Sequence, residues 1–293
     1  GDVYKRQGKN LNFMKENKMQ MTKNQALSSV DEKFYELKNN KKIALMPFIM
    51  AGDPNIEKTS EILLKLQENG ADLIELGIPY SDPLADGPII QLSASRALKS
   101  GTTPKKVINL LESLKGELKV PIILFTYLNP LLCFGFEHFC ELASNAGVSG
   151  LIIPDLPLEE AYKFSKIVSN HSMDLVLLVA PTTPFERMKK ISNHTKGFTY
   201  LVSVTGVTGE RNKMESRVEN LIAKLKEINN NPIAVGFGIS TPEHVNKVRE
   251  WGADGVIIGS AFIKRISSSS EKDVVNNVGK FCNDMRLAAD RKK

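Results

Sequence analysis

Two acids, Glu75 and Asp86, bracket the stretch ELGIPYSDPLAD. Glu75 sits among Leu73, Ile74, Leu76 and Ile78, and Asp86 follows in a segment punctuated by Gly and Pro. Burying an ionised carboxylate without a partner costs several kcal/mol, so such a Glu is paired, protonated or aimed into a cleft. Strand alternation by itself leaves an outward, ion-paired Glu75 equally open. If it points inward, the two acids suit proton transfer. A carboxyl with a raised pKa gives and takes a proton, and the second acid stabilises positive charge developing on the reacting group.

A second set of residues suits an anion. GFGIST (Gly236–Thr241, with Phe237 and Gly238) and IGSAF (Ile258–Phe262, with Gly259 and Ser260) each follow an aliphatic run. Glycines there let backbone N–H groups approach a phosphate, and a short helix predicted to begin at Ser260 would aim its positive end at the same place. SVTGVTGERNKM (203–214) carries Gly206, Gly209, Thr205 and Thr208. It reads as a segment able to close over substrate, with Gly209 offering its N–H to the phosphate, or else as a solvated loop. Lys41 and Lys42 precede the first aliphatic run and the later lysines fall in helical patterns, which argues against a Schiff-base mechanism. Cys133, Cys140 and Cys282 have no metal-ligand spacing and four histidines are scattered, so the expectation is reduced, buried thiols and no metal. Acid–base chemistry by Glu75 remains, with Asp86, Asp155 and Tyr200 assisting.

The elements that must position these residues recur in a rhythm. Eight apolar runs are Ile43–Met50, Asp72–Gly77, Pro121–Tyr127, Gly150–Ile153, Leu175–Ala180, Phe198–Val202, Ile233–Gly236 and Gly255–Ile258. Between them lie amphipathic stretches such as Glu57–Gly70 and Thr241–Gly252, each stopped by Gly. Continuous apolar strands returning through helices imply parallel pairing buried on both faces. Eight such units fit a closed (β/α)8 TIM barrel. An extra N-terminal helix over Ser28–Asn39 would cap its bottom, and short extra helices are predicted after strand two (Gln91–Ser100) and strand eight. Chemistry in this architecture sits at the C-terminal ends of strands, which turns Glu75 and Asp86 toward the barrel mouth.

At 293 residues and 42% apolar, the chain suits one barrel of about 250 residues plus extensions. The expected division is a disordered or artefactual extension over 1–27, a single domain over 28–287 and a flexible tail over 288–293. The net charge of +6 is spread among 33 acids without a basic, aromatic-interleaved stripe, which argues against nucleic acid as a partner. No apolar run approaches the roughly 20 residues of a membrane span. The first twenty residues are basic and acid-poor but lack an apolar core and serine. The expected location is the cytoplasm, or a plastid stroma if that segment is a transit peptide.

Met46–Pro54 (MPFIMAGDP), Ile74–Gln91, Ile152–Pro157, Tyr200–Gly209, Val235–Ser240 and Ile257–Ala261 together resemble the alpha-subunit family of tryptophan synthase, over about Asp31 to Lys280. The resemblance implies retro-aldol cleavage of 1-(indol-3-yl)glycerol 3-phosphate to indole and glyceraldehyde 3-phosphate, without a metal or cofactor in this chain. Glu75 matches the general acid/base and Asp86 the carboxylate that orients indole. Gly209, Gly238, Gly259 and Ser260 match phosphate binders, and Phe48, Tyr127, Tyr200 and Phe237 match residues around the indole and glycerol parts. The implied partner is a pyridoxal-phosphate beta subunit in an alpha2-beta2 tetramer, docked on the loop after strand two and on Leu128–Phe139. Met50 departs from the pattern, standing where many relatives carry a small hydroxyl residue. The rivals are another phosphate-binding barrel enzyme, such as an indole-glycerol-phosphate synthase or a triose isomerase, and a non-catalytic activator of a beta subunit.

Overall fold

The computed structural model describes residues 27–202, 211–236 and 238–290, without the side chains of 211–215. Eight parallel strands close in sequence order into a barrel: β1 (Ala44–Met50), β2 (Ile74–Gly77), β3 (Ile122–Phe125), β4 (Val148–Ile152), β5 (Asp174–Val179), β6 (Thr199–Val202), β7 (Ile233–Gly236) and β8 (Gly255–Ile258). The last closes on the first, with Ala44 opposite Gly255 and Pro47 opposite Ile258. All seven residues of β1 and all four of β2 are buried, as strands covered on both faces must be.

Twelve helices are present among the described residues. They are α1 (Ser29–Asn39), α2 (Ile56–Glu68), α3 (Pro88–Lys99), α4 (Pro104–Ser113), α5 (Leu128–Phe134), α6 (Phe136–Asn145), α7 (Leu158–Asn170), α8 (Phe185–His194), α9 (Arg211–Ile228), α10 (Pro242–Glu250), α11 (Ser260–Ser268) and α12 (Val274–Asp290). The extra helices stand where the sequence predicts them: α1 before the barrel, α3 after β2 and α11 after β8.

The bottom of the barrel is plugged by α1. The Ser28 hydroxyl accepts the Asp31 N–H at 3.1 Å, a helix-capping bond, and donates to Asp174 Oδ2 at 2.5 Å. Val30 and Phe34 enter the inner core with Met46, Ile123, Val176 and Phe198, and the Phe34 and Phe198 rings lie 5.6 Å apart.

The expected flexible tail is corrected in part. Helix α12 continues to Asp290 with Ala288 and Ala289 buried. Arg286 holds it down by donating to Asp72 Oδ2 at 2.5 Å, to Asp290 Oδ1 at 2.8 Å and to the Ile43 carbonyl at 3.2 Å. The small side chains at 288 and 289 look dispensable as sequence, but they are what lets the helix lie close to the barrel. Residues 1–26 and 291–293, parts of the expected extension and tail, lie outside the described residues.

At the mouth, the loop after β1 is tied to α3. Asp53, 2% exposed, accepts Arg96 Nε at 2.8 Å and an Arg96 terminal nitrogen at 2.6 Å, and it also accepts the Ser93 hydroxyl. Ser100 adds a bond to the Gly52 carbonyl at 3.0 Å. These contacts fix the helix whose N-terminal end follows Asp86.

Candidate active site

Glu75 points inward. It sits in β2 between Phe48 of β1 and Ile123 of β3, 1% exposed, and lines a cavity of about 960 Å³ at the barrel mouth. Its Oε2 atom has no hydrogen-bond partner. Burial, aided by the nearby Asp86 charge, pushes its pKa from 4.5 up to about 8. The outward, ion-paired alternative is thereby excluded. A carboxyl that keeps its proton at neutral pH in a cleft is a general acid in waiting.

Asp86 reaches the same cavity from the loop between β2 and α3. Two turn bonds shape that loop, Leu84 N–H to the Asp82 carbonyl at 2.9 Å and Asp86 N–H to the Pro83 carbonyl at 3.1 Å. Pro88 then opens α3, with Gly87 as its cap residue. Burial raises the Asp86 pKa to about 6, against a hydrogen bond from Tyr127 that lowers it. Near pH 7 the pair therefore divides its labour, Glu75 protonated and Asp86 ionised.

Tyr200 and Phe48 complete the walls. The Tyr200 ring crosses β7 so closely that a Cβ at Gly236 would lie 2.5 Å from it. Burial and the two acids hold its phenol far above the ordinary value, so it stays neutral and acts through its hydroxyl. Phe125, which sequence reasoning passed over, also lines the cavity and meets Phe48 edge-on at 5.7 Å. The available signal was its place two residues before Tyr127 at a strand end.

At the far side, Gly238, Gly259 and Ser260 line the cavity together. No side chain caps α11, whose N-cap residue is Gly259. Its first N–H groups thus face the cavity ready for an anion. Gly209, Phe237 and the segment around Thr205, Gly206 and Thr208 lie outside the described residues.

Other expectations need correction. Tyr127, expected at the substrate, is 2% exposed and absent from the cavity wall, because it stands behind Asp86 and accepts the Ala85 N–H at 3.1 Å. Asp155 is exposed and accepts the Leu128 N–H at 2.9 Å; its carboxylate is spent on the start of α5. Met50 is buried behind the wall, its Sδ 3.0 Å from where a Cβ of Gly77 would lie. Cys133 is exposed, unlike Cys140 and Cys282. Of the aromatics in Leu128–Phe139, Phe136 and Phe139 pack inward, leaving Leu132 as the exposed large hydrophobic side chain of that segment.

A family model described as tryptophan synthase alpha chain matches residues 34–290. The chain belongs to the tryptophan synthase alpha chain family. A relative of that name from Prochlorococcus marinus subsp. pastoris is 79% identical over 279 residues, 95% of this chain and all of the relative. Another from Synechococcus sp. (strain CC9902) is 59% identical, covering 91% of this chain and 99% of the relative. The crystal structure of tryptophan synthase subunit alpha from Legionella pneumophila str. Paris superposes with a TM-score of 0.82 at 38% identity, over 90% of this chain and 99% of that one. Membership makes the chain a lyase subunit of tryptophan biosynthesis that carries no cofactor of its own. Its alpha reaction cleaves 1-(indol-3-yl)glycerol 3-phosphate into indole and glyceraldehyde 3-phosphate. The rival barrel enzymes and the non-catalytic activator are not favoured.

Proposed function

We propose that Glu75 carries the proton of this cleavage and that Asp86 orients and stabilises the indole. The observation that carries the reading is the unpartnered Glu75 Oε2, buried in the wall of a cavity that Asp86 also lines. Protonated Glu75 donates to indole C3, making the ring a neutral-leaving group, while Asp86 accepts the indole N–H and offsets the positive charge that develops there. The resulting Glu75 carboxylate then takes the proton of the side-chain hydroxyl on the carbon attached to C3. The carbon–carbon bond breaks, its electron pair returns to the ring and the aldehyde forms; Glu75 ends protonated again by the hydroxyl proton, while the proton it first gave stays on C3 of the released indole. Tyr200 and Phe48 hold the organic part, and Phe237 is assigned beside them by resemblance. Gly238, Gly259 and Ser260, with Gly209 by resemblance, hold the phosphate.

The partner is a beta subunit of tryptophan synthase that carries pyridoxal phosphate, in an alpha2-beta2 tetramer. Tyr80, Leu84 and Leu132 supply the docking face: Leu84 is 91% exposed and Leu132 52% exposed, and Asn129 donates to the Tyr80 hydroxyl at 3.2 Å, joining the two segments. Exposed aliphatic groups beside an aromatic suit a buried interface centre. The location is cytoplasmic, with a plastid stroma as the alternative. Among the described residues no helix is long and apolar enough to cross a membrane. The test is indole release from the purified chain, with and without a beta subunit. Absence of indole under both conditions, with binding of a beta subunit intact, would overturn the catalytic assignment.

A further inference from the structure

Tyr127 occupies a place that neither substrate contact nor simple core packing explains. Its side chain is 2% exposed and does not reach the cavity wall. Its ring is fixed on two sides, by Tyr80 at 5.4 Å and by Phe125 edge-on at 6.2 Å. The residue lies two positions beyond β3 and is the N-cap residue of α5, whose first N–H is bound by Asp155. The phenol is therefore delivered by the rigid barrel into the irregular loop between β2 and α3.

There the hydroxyl has two neighbours. It accepts the Ala85 N–H at 3.1 Å, and it stands near enough to the Asp86 carboxyl to lower that acid's pKa. One oxygen thus binds the backbone of the residue that immediately precedes Asp86 and favours the ionised form of that acid. We propose that Tyr127 is a positioning residue for the cleavage, holding Asp86 turned into the cavity as the acceptor for the indole N–H. The proposal rests on that reading of Asp86. The groups that bear on Asp86 are Glu75 from β2, Tyr127 from the end of β3 and Tyr200 from β6, with Asp155 acting on Tyr127 from the loop after β4.

Tyr127→Phe keeps both ring contacts and removes only the hydroxyl. In the full chain, the expected loss in kcat/KM is roughly three- to tenfold, the range for losing the hydrogen bond that holds the loop at Ala85. The acid limb of the pH profile should also move to higher pH, because the hydroxyl that favours ionised Asp86 is gone. In an Asp86→Ala background the same substitution should change activity less than about twofold, since its effect runs through Asp86. A thermal melt near that of the parent confirms that Tyr127→Phe is folded. An unmoved acid limb with near-parent activity, while Asp86→Ala alone is impaired, overturns the Tyr127 role and leaves the Asp86 reading standing. An equal loss in the Asp86→Ala background overturns it also, by showing that Tyr127 acts on its own. Parent-like activity in Asp86→Ala removes both.

Discussion

Phe48 and Glu75 stand at paired positions of β1 and β2 and both face the cavity. The apolar neighbour offers the carboxyl no hydrogen bond, and burial together with the nearby Asp86 charge keeps the acid protonated. Glu75→Gln preserves the shape and the neutrality but cannot release a proton. The expected loss of indole formation is at least roughly 10² to 10⁴, the contribution of positioned proton transfer. A steady-state indole assay reads it, and activity within about tenfold of the parent would rule Glu75 out as the proton carrier.

The pH dependence follows from the same pair. Glu75 must hold its proton to act as the acid, which fails above about 8. Asp86 must be ionised to accept the indole N–H, which fails below about 6. The kcat/KM profile should therefore be bell-shaped, with limbs near those two values, and the limbs belong to the interacting pair as much as to either acid. Asp86→Asn should remove the acid limb along with most of the activity. A profile flat between pH 5 and about 9 would contradict the division of roles.

The residues that made the barrel legible were short and aliphatic. Runs such as Ile233–Gly236 and Gly255–Ile258 coincide with β7 and β8, because a parallel strand buried on both faces has no polar positions to blur its ends. Glu75 was legible for the converse reason, a charge where the pattern demands none. Tyr127 was not: its residue type fits a substrate contact as well as a support, and only the packing behind the β2–α3 loop decides between them. Asp53 likewise looks like a loop acid until Arg96 and Ser93 are seen to converge on it. The end of α12 was misread because alanines carry little pattern.

A buried acid that assists catalysis costs stability. In the unfolded chain Glu75 ionises near 4.5, whereas in the folded chain it keeps its proton to about 8. Below the lower value the carboxyl is neutral in both states and contributes no difference. As pH rises from the lower value to the higher, the unfolded state gains from ionisation and the folded state does not, so the penalty grows and then levels off. Glu75→Gln should accordingly melt higher than the parent at pH 8, with the advantage shrinking toward zero near pH 4. Melting temperatures across that range measure it, and a constant difference would show that burial does not perturb Glu75 as described.

Phosphate recognition should be separable from the chemistry. A Cβ at Gly259 would make only ordinary contacts, 3.5 Å to Phe48 and 3.7 Å to Ile90, so Gly259→Ala should fold. The added methyl stands where the N-terminal end of α11 meets the cavity and would hold an anion away from those N–H groups. The expected outcome is a KM raised about tenfold or more with kcat changed less, together with weaker competition by inorganic phosphate. An unchanged KM and unchanged phosphate inhibition would move the anion site elsewhere.

The Asp53–Arg96 pair predicts an effect at a distance. Arg96→Met keeps much of the aliphatic stem but leaves a buried carboxylate with Ser93 as its remaining side-chain donor. Because Arg96 is itself partly exposed, removing it costs less than for a fully buried pair, about 1 to 3 kcal/mol. Because Arg96 lies in α3, whose first turn follows Asp86, loosening it frees the loop that carries the indole acceptor. The variant should therefore lose stability in denaturant unfolding and, at temperatures where it remains folded, show a lower kcat with the position of the Glu75 limb unmoved. Lysine at 96 restores the charge but not the two-pronged geometry, and partial recovery of stability is expected. Full activity in a destabilised Arg96→Met would show that the tether serves the fold alone.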